Sequence, residues 1–522
     1  MNVGLRVKKS LMLVLIGLSS AQVVGATPAQ TATHAPADPA GLTAVPGNGE
    51  VGLRWEAATD ATSYHLKRAT TSGGPYTEIA APRWNGYTDV GLTNGVTYFF
   101  VITGVGPAGE GPNSVQVSAK PEGPAGSGLP IVFFGQSISE IQASHFPTVP
   151  FGGVRLWDTN TTWDQIETSS GTYTWTELDA WLLSVSSHGK DSMYTFGRVP
   201  HWASMRPSEA CPYDISDEGC AAPPADVDSG DNTWKTFVTA LVHHSLSSPD
   251  LHIAYYEMWN EPDLTRNWTG TPAQLVTMVK DAYTIIHSLD PNAKVVGPTP
   301  STANQYGVHY LPDYYAAGGA TAQDIVGLHA YLYTGSNFST SPAAITTSIT
   351  QLKDLMSKYD ISSKPIWFTE GNWNADGTGS LTDAQKAAYI AQEYMLMWST
   401  GAVSRYYWYS WDSTVGTLWT PSEGLTPAGT AYNLLTYWLV GSTHSANPCS
   451  EATDGTWTCA LTLSTGYPGE IIWYPSASKT ITVDAAFATY ETLANSTVHS
   501  IADHQVAIGA LPVLIIKSQA VQ

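Results

Sequence analysis

The run Ile253-Ala-Tyr-Tyr-Glu-Met-Trp-Asn260, followed by Glu261-Pro262, decides how the centre of this chain is read. Its large apolar and aromatic residues are strand-like. Thr271-Pro272 then supplies a helix start signal, and Leu275, Met278, Val279, Ala282 and Ile286 share one helical face. A strand followed by an amphipathic helix is a βα unit, and the alternation continues on both sides. Strand-like runs stand at Ile131–Ile138, Gly153–Asp158, Ser192–Gly197, Ile253–Asn260, Lys294–Gly297, Asp324–Tyr333, Pro365–Glu370 and Arg405–Trp411, eight in all. Ile345, Ile349, Leu352 and Met356 form another helical stripe. Eight such units within residues 131–440 predict a (β/α)₈ barrel. A doubly wound sheet is the alternative, but it usually brings a Gly-rich phosphate loop, and this chain shows none.

Outward from the barrel the periodicity changes. Residues 38–120 carry short alternating runs, Val51-Gly-Leu-Arg-Trp55, Ser63-Tyr-His-Leu-Lys67 and Thr97-Tyr-Phe-Phe-Val-Ile102, between Gly, Asn and Pro turns. That pattern predicts a small β-sandwich. With Trp55 on its second strand and Leu92 six residues before Tyr98, the segment resembles a fibronectin type III domain, which implies a fold and not an activity. A spacer role is preferred over sugar binding. Residues 121–130 read as a Gly/Pro linker. Beyond the barrel, residues 441–522 return to strand patterns, as in Trp457–Leu463, Glu470–Tyr474 and Val513–Lys517, and predict a second small β-sandwich.

Residues 1–26 read as a secretory signal peptide: Arg6, Lys8 and Lys9 precede the apolar run Leu11–Leu18, which is too short to span a bilayer. Residues 27–37 read as a flexible lead-in. Secretion or transfer to the periplasm is therefore the expectation. In an oxidising compartment Cys211 with Cys220, and Cys449 with Cys459, are expected to form two local disulfides. No tight His or Cys spacing suggests a metal, and no cofactor is expected. The net charge of −21 argues against nucleic acid and anionic membrane surfaces as partners. The 19 Trp and 27 Tyr fit a carbohydrate site, although most must be core.

Two motifs carry the chemistry. Trp259-Asn260-Glu261-Pro262 ends the fourth strand, and Trp367-Phe-Thr-Glu370 ends the seventh. Strands four and seven face each other across the barrel mouth, where barrel active sites lie. Two carboxylates there can flank a glycosidic bond, one protonating the leaving oxygen and the other attacking the anomeric carbon. With Gly153-Val-Arg-Leu-Trp-Asp158, Trp163-Asp-Gln-Ile-Glu167, Gly171-Thr-Tyr-Thr-Trp175 and Pro200-His-Trp-Ala-Ser204, the segment resembles the clan A glycoside hydrolases, and within them family 39 most.

The resemblance implies Glu261 as acid/base and Glu370 as nucleophile. It implies sugar contact or support from Arg155, Asn260, His329, Tyr331 and Trp202. It places Trp408 or Trp411 under the reacting sugar. Strand alternation leaves one tension: Asn260 and Glu261 both reach the site only if the strand ends or bulges there. The expected enzyme is a retaining hydrolase of β-linked glycans, with its carboxylates about 5–5.5 Å apart. The long loop around Cys211 and Cys220 leans this toward an open cleft and endo action. The competing expectation is a non-catalytic carbohydrate-binding or adhesion protein built on the same barrel.

Overall fold

The computed structural model describes residues 34–46, 50–56, 58–82, 86–90, 92–93, 95–121, 128–140, 145–211, 218–302, 307–334, 337–338, 341–373 and 381–517. The expected signal peptide, most of the lead-in, and residues 122–127 of the expected linker lie outside them.

The N-terminal strands form two antiparallel sheets. Thr43–Pro46, Glu50–Arg54 and Gly86–Val90 make one. Ser63–Ala69, Thr77–Ala80, Tyr98–Gly106, Gly109–Asn113 and Val117–Ala119 make the other. Alternation along Ser63–Ala69 turns Tyr64 and Leu66 inward, onto Trp55, Phe100 and Ile102. Trp55 meets Tyr64 edge-on at 5.4 Å. The Tyr98 hydroxyl accepts from the Thr93 amide at 3.1 Å, pinning the corner before its strand.

The central domain is the predicted barrel. Its strands are β1 (Phe134–Ser137), β2 (Gly153–Leu156), β3 (Asp191–Thr195), β4 (Tyr255–Glu257), β5 (Lys294–Val296), β6 (Val326–His329), β7 (Ile366–Glu370) and β8 (Val403–Trp408). They pair in parallel in the order β5-β4-β3-β2-β1-β8-β7-β6. The ring closes where the Gly297 amide donates to Ile325 O at 2.9 Å and the Ile325 amide to Val295 O at 3.1 Å. Six of the eight strands contain no exposed residue and at most one half-buried one; in β5 and β8, Lys294 and Ser404 are exposed. Apolar runs on both faces are what a sheet wrapped in helices requires.

Among the described residues the α-helices interleaved with these strands are α1 (Trp163–Ile166), α2 (Thr176–Ser187), α3 (Asn232–Ser245), α4 (Pro272–Leu289), α5 (Gly307–Ala316), α6 (Ala344–Lys358), α7 (Asp383–Ser399) and α8 (Pro427–Leu439). Thr271 and Thr382 open α4 and α7 with capping boxes closed by Gln274 and Gln385. The alternation departs from a strict βα repeat once. Among the described residues no helix lies between β1 and β2, while α1 and α2 both lie between β2 and β3.

The C-terminal sandwich sets a six-stranded sheet (Cys449–Glu451, Trp457–Thr462, Pro468–Trp473, Phe487–Thr492, Asn495–Ser500 and Val513–Lys517) beside the pair Lys479–Thr482 and Gln505–Ile508. Its Leu461, Ile471, Trp473, Leu493 and Leu514 join the barrel's hydrophobic core, whereas the N-terminal sandwich keeps a core of its own. Trp438 on α8 donates to Glu491 at 3.1 Å, which ties the C-terminal sandwich to the barrel by a polar contact as well. Both expected disulfides are present, Cys211–Cys220 and Cys449–Cys459. Among the described residues no helix is long and apolar enough to cross a membrane.

The N-terminal sandwich shares two crevices with its neighbours. One, of ≈ 740 Å³, lies between Trp55, Tyr437 and Trp438 at the end of α8, and Tyr467. The other, of ≈ 710 Å³, lies between Arg68 and Tyr87 on one side and Pro147–Pro150 and His188–Lys190 on the other. These barrel residues immediately precede β2 and β3 or end α8, so they belong to the end of the barrel opposite its mouth.

Candidate active site

Strand ends bring the polar side chains together. Arg155 on β2 is 1% exposed and spreads its guanidinium over three acceptors. Nε donates to Glu257 at 2.7 Å, Nη1 to Glu370 at 2.6 Å and Nη2 to Asn260 Oδ1 at 2.6 Å. A planar fork with five donors suits such a hub, and a lysine could not reach all three. Burial alone would favour losing its proton. The charges of Glu257 and Glu370 outweigh that and hold it as the cation. Glu257 is itself fully buried. Burial pushes its carboxyl up, but Arg155 and then His329 bring it below the usual range, and the Thr195 hydroxyl donates to it at 2.5 Å.

β4 ends at Glu257, and the chain beyond it leaves regular geometry. Trp259 and Glu261 both have positive φ, 75° and 44°. Asn260 and Glu261 are held there by amide bonds to Phe196 O at 3.1 Å and Thr299 O at 2.9 Å. The end of the strand thus resolves the tension over alternation: both neighbours turn toward the barrel axis. Left-handed non-glycine residues cost about 1–3 kcal/mol each. The Trp259 indole offsets part of this by donating to Asn267 O at 3.0 Å within a buried aromatic cluster with Trp234 and Trp268.

Glu261 and Glu370 sit next to each other, 6% and 7% exposed. Ligand atoms of Glu261, His329 and Glu370 lie within 4.8 Å of one another. His329 Nδ1 is 3.2 Å from Glu261 Oε1, and Nε2 is 3.9 Å from Glu370 Oε2. Tyr331 donates to Glu370 Oε1 at 2.8 Å. Arg266 and Asn267 donate to Glu261 Oε2 at 3.1 and 3.3 Å. Burial pushes both carboxyls up. For Glu261 the bond and charge of His329, then Arg266, outweigh burial and hold it low. For Glu370 burial prevails over His329 and Arg155, helped by the negative Glu261 beside it. His329 is buried, which favours the neutral ring, yet the facing Glu370 and Glu261 keep its proton on above the usual range. Two carboxylates this close cannot both ionise freely, and His329 stands between them, hydrogen-bonded to Glu261 through Nδ1 and without a hydrogen bond to Glu370.

Among the described residues this trio is the one group of three His, Cys, Asp or Glu residues close enough to hold a metal ion. Its surroundings oppose a metal. Arg155 already donates to Glu370 and Arg266 to Glu261, and both cations would repel a second positive charge.

Arg155, Asn260, Glu261, His329, Tyr331 and Glu370 therefore converge. The three tryptophans do not join them by any direct contact. Trp202 is half-buried, and its indole donates to Glu167 O at 2.8 Å. Trp408 and Trp411 are 0% and 1% exposed, and their indoles donate to Gly416 O and His145 O. Neither ring is open to floor a sugar subsite as expected: Trp408 packs on Tyr394 and Trp373, Trp411 stacks on Trp419, and loop carbonyls accept from both indoles. The half-buried aromatic at this strand end is Tyr409, whose hydroxyl donates to the exposed Asp158 at 2.5 Å. Sequence reasoning missed Tyr409, Arg266 and Glu257. The signal for Glu257 was a lone charge inside the apolar run of β4.

Comparison with known proteins agrees with this geometry. Residues 230–432 match the family model of the glycosyl hydrolase catalytic core. The fold is similar to that of a family 39 glycoside hydrolase from the gut symbiont Bacteroides cellulosilyticus WH2, with a TM-score of 0.57 and 14% identity over 92% of this chain and 100% of that one. An Fn3-like protein from Clostridium thermocellum is 39% identical over 17% of this chain and 98% of its own, with a TM-score of 0.17. An amylopullulanase from Thermoanaerobacter thermohydrosulfuricus is 41% identical over 87 residues, 16% of this chain and 6% of its own. The chain thus spans about 6% of the length of that curated relative. The match to the glycosyl hydrolase catalytic core falls within the barrel, and the barrel fold is that of the family 39 structure, as the motifs led one to expect.

Proposed function

We propose that this protein is a retaining glycoside hydrolase of β-linked poly- or oligosaccharides, exported to an oxidising compartment. One observation supports the mechanism: a carboxylate oxygen of Glu261 and one of Glu370 lie within 4.8 Å of each other, in keeping with the short spacing of a retaining pair. An inverting enzyme would need about 6.5–9.5 Å to seat a water between its carboxylates. The two disulfides support the compartment.

Glu370 is the nucleophile. Arg155 and Tyr331 each donate to one of its oxygens and aim it at the anomeric carbon. Burial and the negative Glu261 beside it hold its carboxyl above the usual range in the free site, and protonation of Glu261 removes that repulsion and leaves Glu370 as the carboxylate. Glu261 is the acid/base. In the free site it is held low, so it must gain a proton before cleavage. His329 lies within reach of both carboxylates and is the group that can pass it. A bound sugar expels water from beside Glu261 and favours its neutral form. Once the glycosyl group is on Glu370, one negative charge is gone and Glu261 can deprotonate the attacking water. Asn260, held by Arg155, is positioned to hydrogen-bond a sugar hydroxyl.

The test is a panel of β-linked polysaccharides and aryl β-glycosides, with the anomer of the first product read by NMR. Retention is expected. Glu370→Ala should lose turnover by on the order of 10³-fold or more while still binding sugar. Glu261→Gln should keep more activity on substrates with good leaving groups than on poor ones. An inverted first product, or undiminished turnover by Glu370→Ala, overturns the proposal.

A further inference from the structure

Two strand ends of the barrel mouth are joined by a side-chain bridge that the proposed chemistry of Glu261 and Glu370 does not use. Asp158 stands two residues beyond β2 and is exposed, and Tyr409 follows β8 and is half-buried. The Tyr409 hydroxyl donates to Asp158 Oδ2 at 2.5 Å, and β1 lies between the two strands so joined. Both ends of the bridge are held. The Tyr409 amide donates to Gly371 O at 3.0 Å, and its carbonyl accepts from Asn372 Nδ2 at 2.5 Å. The ring of Trp157 lies over Gly197, where a Cβ would stand 2.5 Å from it, and this fixes the chain as it leaves β2. The charge of Asp158 bears on both Glu370 and Arg155, so it belongs to the same mouth as they do.

Tyr409 takes one oxygen of Asp158. A carboxylate accepts through two oxygens, so the exposed group has acceptor capacity left for a donor in the mouth. Which donor reaches it follows from the direction of the reaction. In a chair-shaped β-pyranoside with an equatorial 4-hydroxyl, the bonds to O1 and O4 leave opposite ends of the ring. Glu261, just past β4, serves O1. The strands across the ring from β4 are β8 and its neighbour β1, and these are the ones the Tyr409–Asp158 bridge spans.

We infer that Asp158 accepts a hydrogen bond from the 4-hydroxyl of the sugar held over Glu370 and so determines specificity at that carbon. The inference rests on the retaining reading above and extends it to the substrate, whose reacting sugar carries a free 4-hydroxyl. A sugar that lacks this donor leaves the carboxylate unpaired as the mouth fills, and a site built to bond a hydroxyl rejects such an analogue far more strongly than an apolar pocket does.

The 4-nitrophenyl β-D-glucoside, β-D-galactoside and β-D-xyloside are each paired with the 4-deoxy analogue, so that the leaving group is constant. For the full chain, kcat/KM on the preferred glycoside should exceed that on its 4-deoxy partner by about 10- to 100-fold, as one hydrogen bond to a charged group implies. Asp158→Ala should bring this ratio to within about threefold of unity, and Asp158→Asn, which keeps one acceptor oxygen, should restore part of it. Tyr409→Phe removes the competing donor and leaves Asp158 in place, so the ratio should persist whatever happens to the absolute rate. A ratio near unity in the wild type, or one that survives Asp158→Ala, overturns the inference. Equal collapse in Asp158→Ala and Tyr409→Phe does so too, because Asp158 would then act only by holding the ring. Cleavage of polysaccharide with no turnover of any of the three glycosides overturns it alone, since a site that reads a free 4-hydroxyl accepts a single sugar. An inverted first product instead removes the retaining reading beneath it.

Discussion

Arg155 Nη1 donates to Glu370 Oε2 at 2.6 Å, the guanidinium fully enclosed and Glu370 7% exposed. The same guanidinium neutralises Glu257, so it has two separable roles, one in orienting the nucleophile and one in stability. Arg155→Lys should lower kcat by roughly 10²–10³-fold with little change in KM, since three divergent bonds cannot be kept. Arg155→Met should also cost about 3–5 kcal/mol, as expected when a buried ion pair loses its partner. The double variant Arg155→Met with Glu257→Gln should recover much of that stability and none of the activity. Urea melts alongside steady-state kinetics read the two effects apart. Full activity in the double variant would remove Arg155 from the catalytic site.

Tyr331 makes one bond to the nucleophile, at 2.8 Å, through an otherwise enclosed ring. A hydrogen bond to a charged group contributes about 1.5–3 kcal/mol. Tyr331→Phe should therefore reduce kcat/KM by about 10- to 100-fold. Because ionised Glu370 loses a donor, the acid limb of the pH–rate profile should move upward. An unmoved limb would show that the hydroxyl does not bear on Glu370 ionisation.

Glu393 on α7 is buried among aromatic rings. Tyr406 donates to it at 2.8 Å, and Tyr389 lies within 3.4 Å. Burial raises its carboxyl to about 8 against those two bonds. The folded state then keeps a proton that the unfolded chain releases near 4.5. Stability from this group is fully present below that value and is lost as pH climbs to about 8, by on the order of 4 kcal/mol. Glu393→Gln should melt higher than the wild type at pH 8.5 and close to it at pH 5. Parallel Tm-against-pH curves for the two proteins would refute this.

The barrel is legible in the sequence because its strands are apolar on both faces and its helices on one, and Glu261 and Glu370 because one follows such a strand and the other closes one. That no helix lies between β1 and β2 among the described residues is not legible, since a loop and a short helix differ little in pattern. Trp408 and Trp411 mislead because an indole suits a sugar face and a crowded core equally, and only neighbours such as Tyr394 and Trp419 decide. Glu257 draws its meaning from Arg155, 102 residues earlier and adjacent only once the ring closes. Tyr409 follows Trp408 on β8, and alternation alone does not say which of the two meets solvent.

The N-terminal sandwich docks against the closed end of the barrel, on the residues preceding β2 and β3 and ending α8. On the proposed function, a glycan bound at the mouth lies at the opposite end of the barrel from this module. Held to a support by this module, the molecule would point its working face outward, so grafting or immobilisation there should leave long and short glycans equal access.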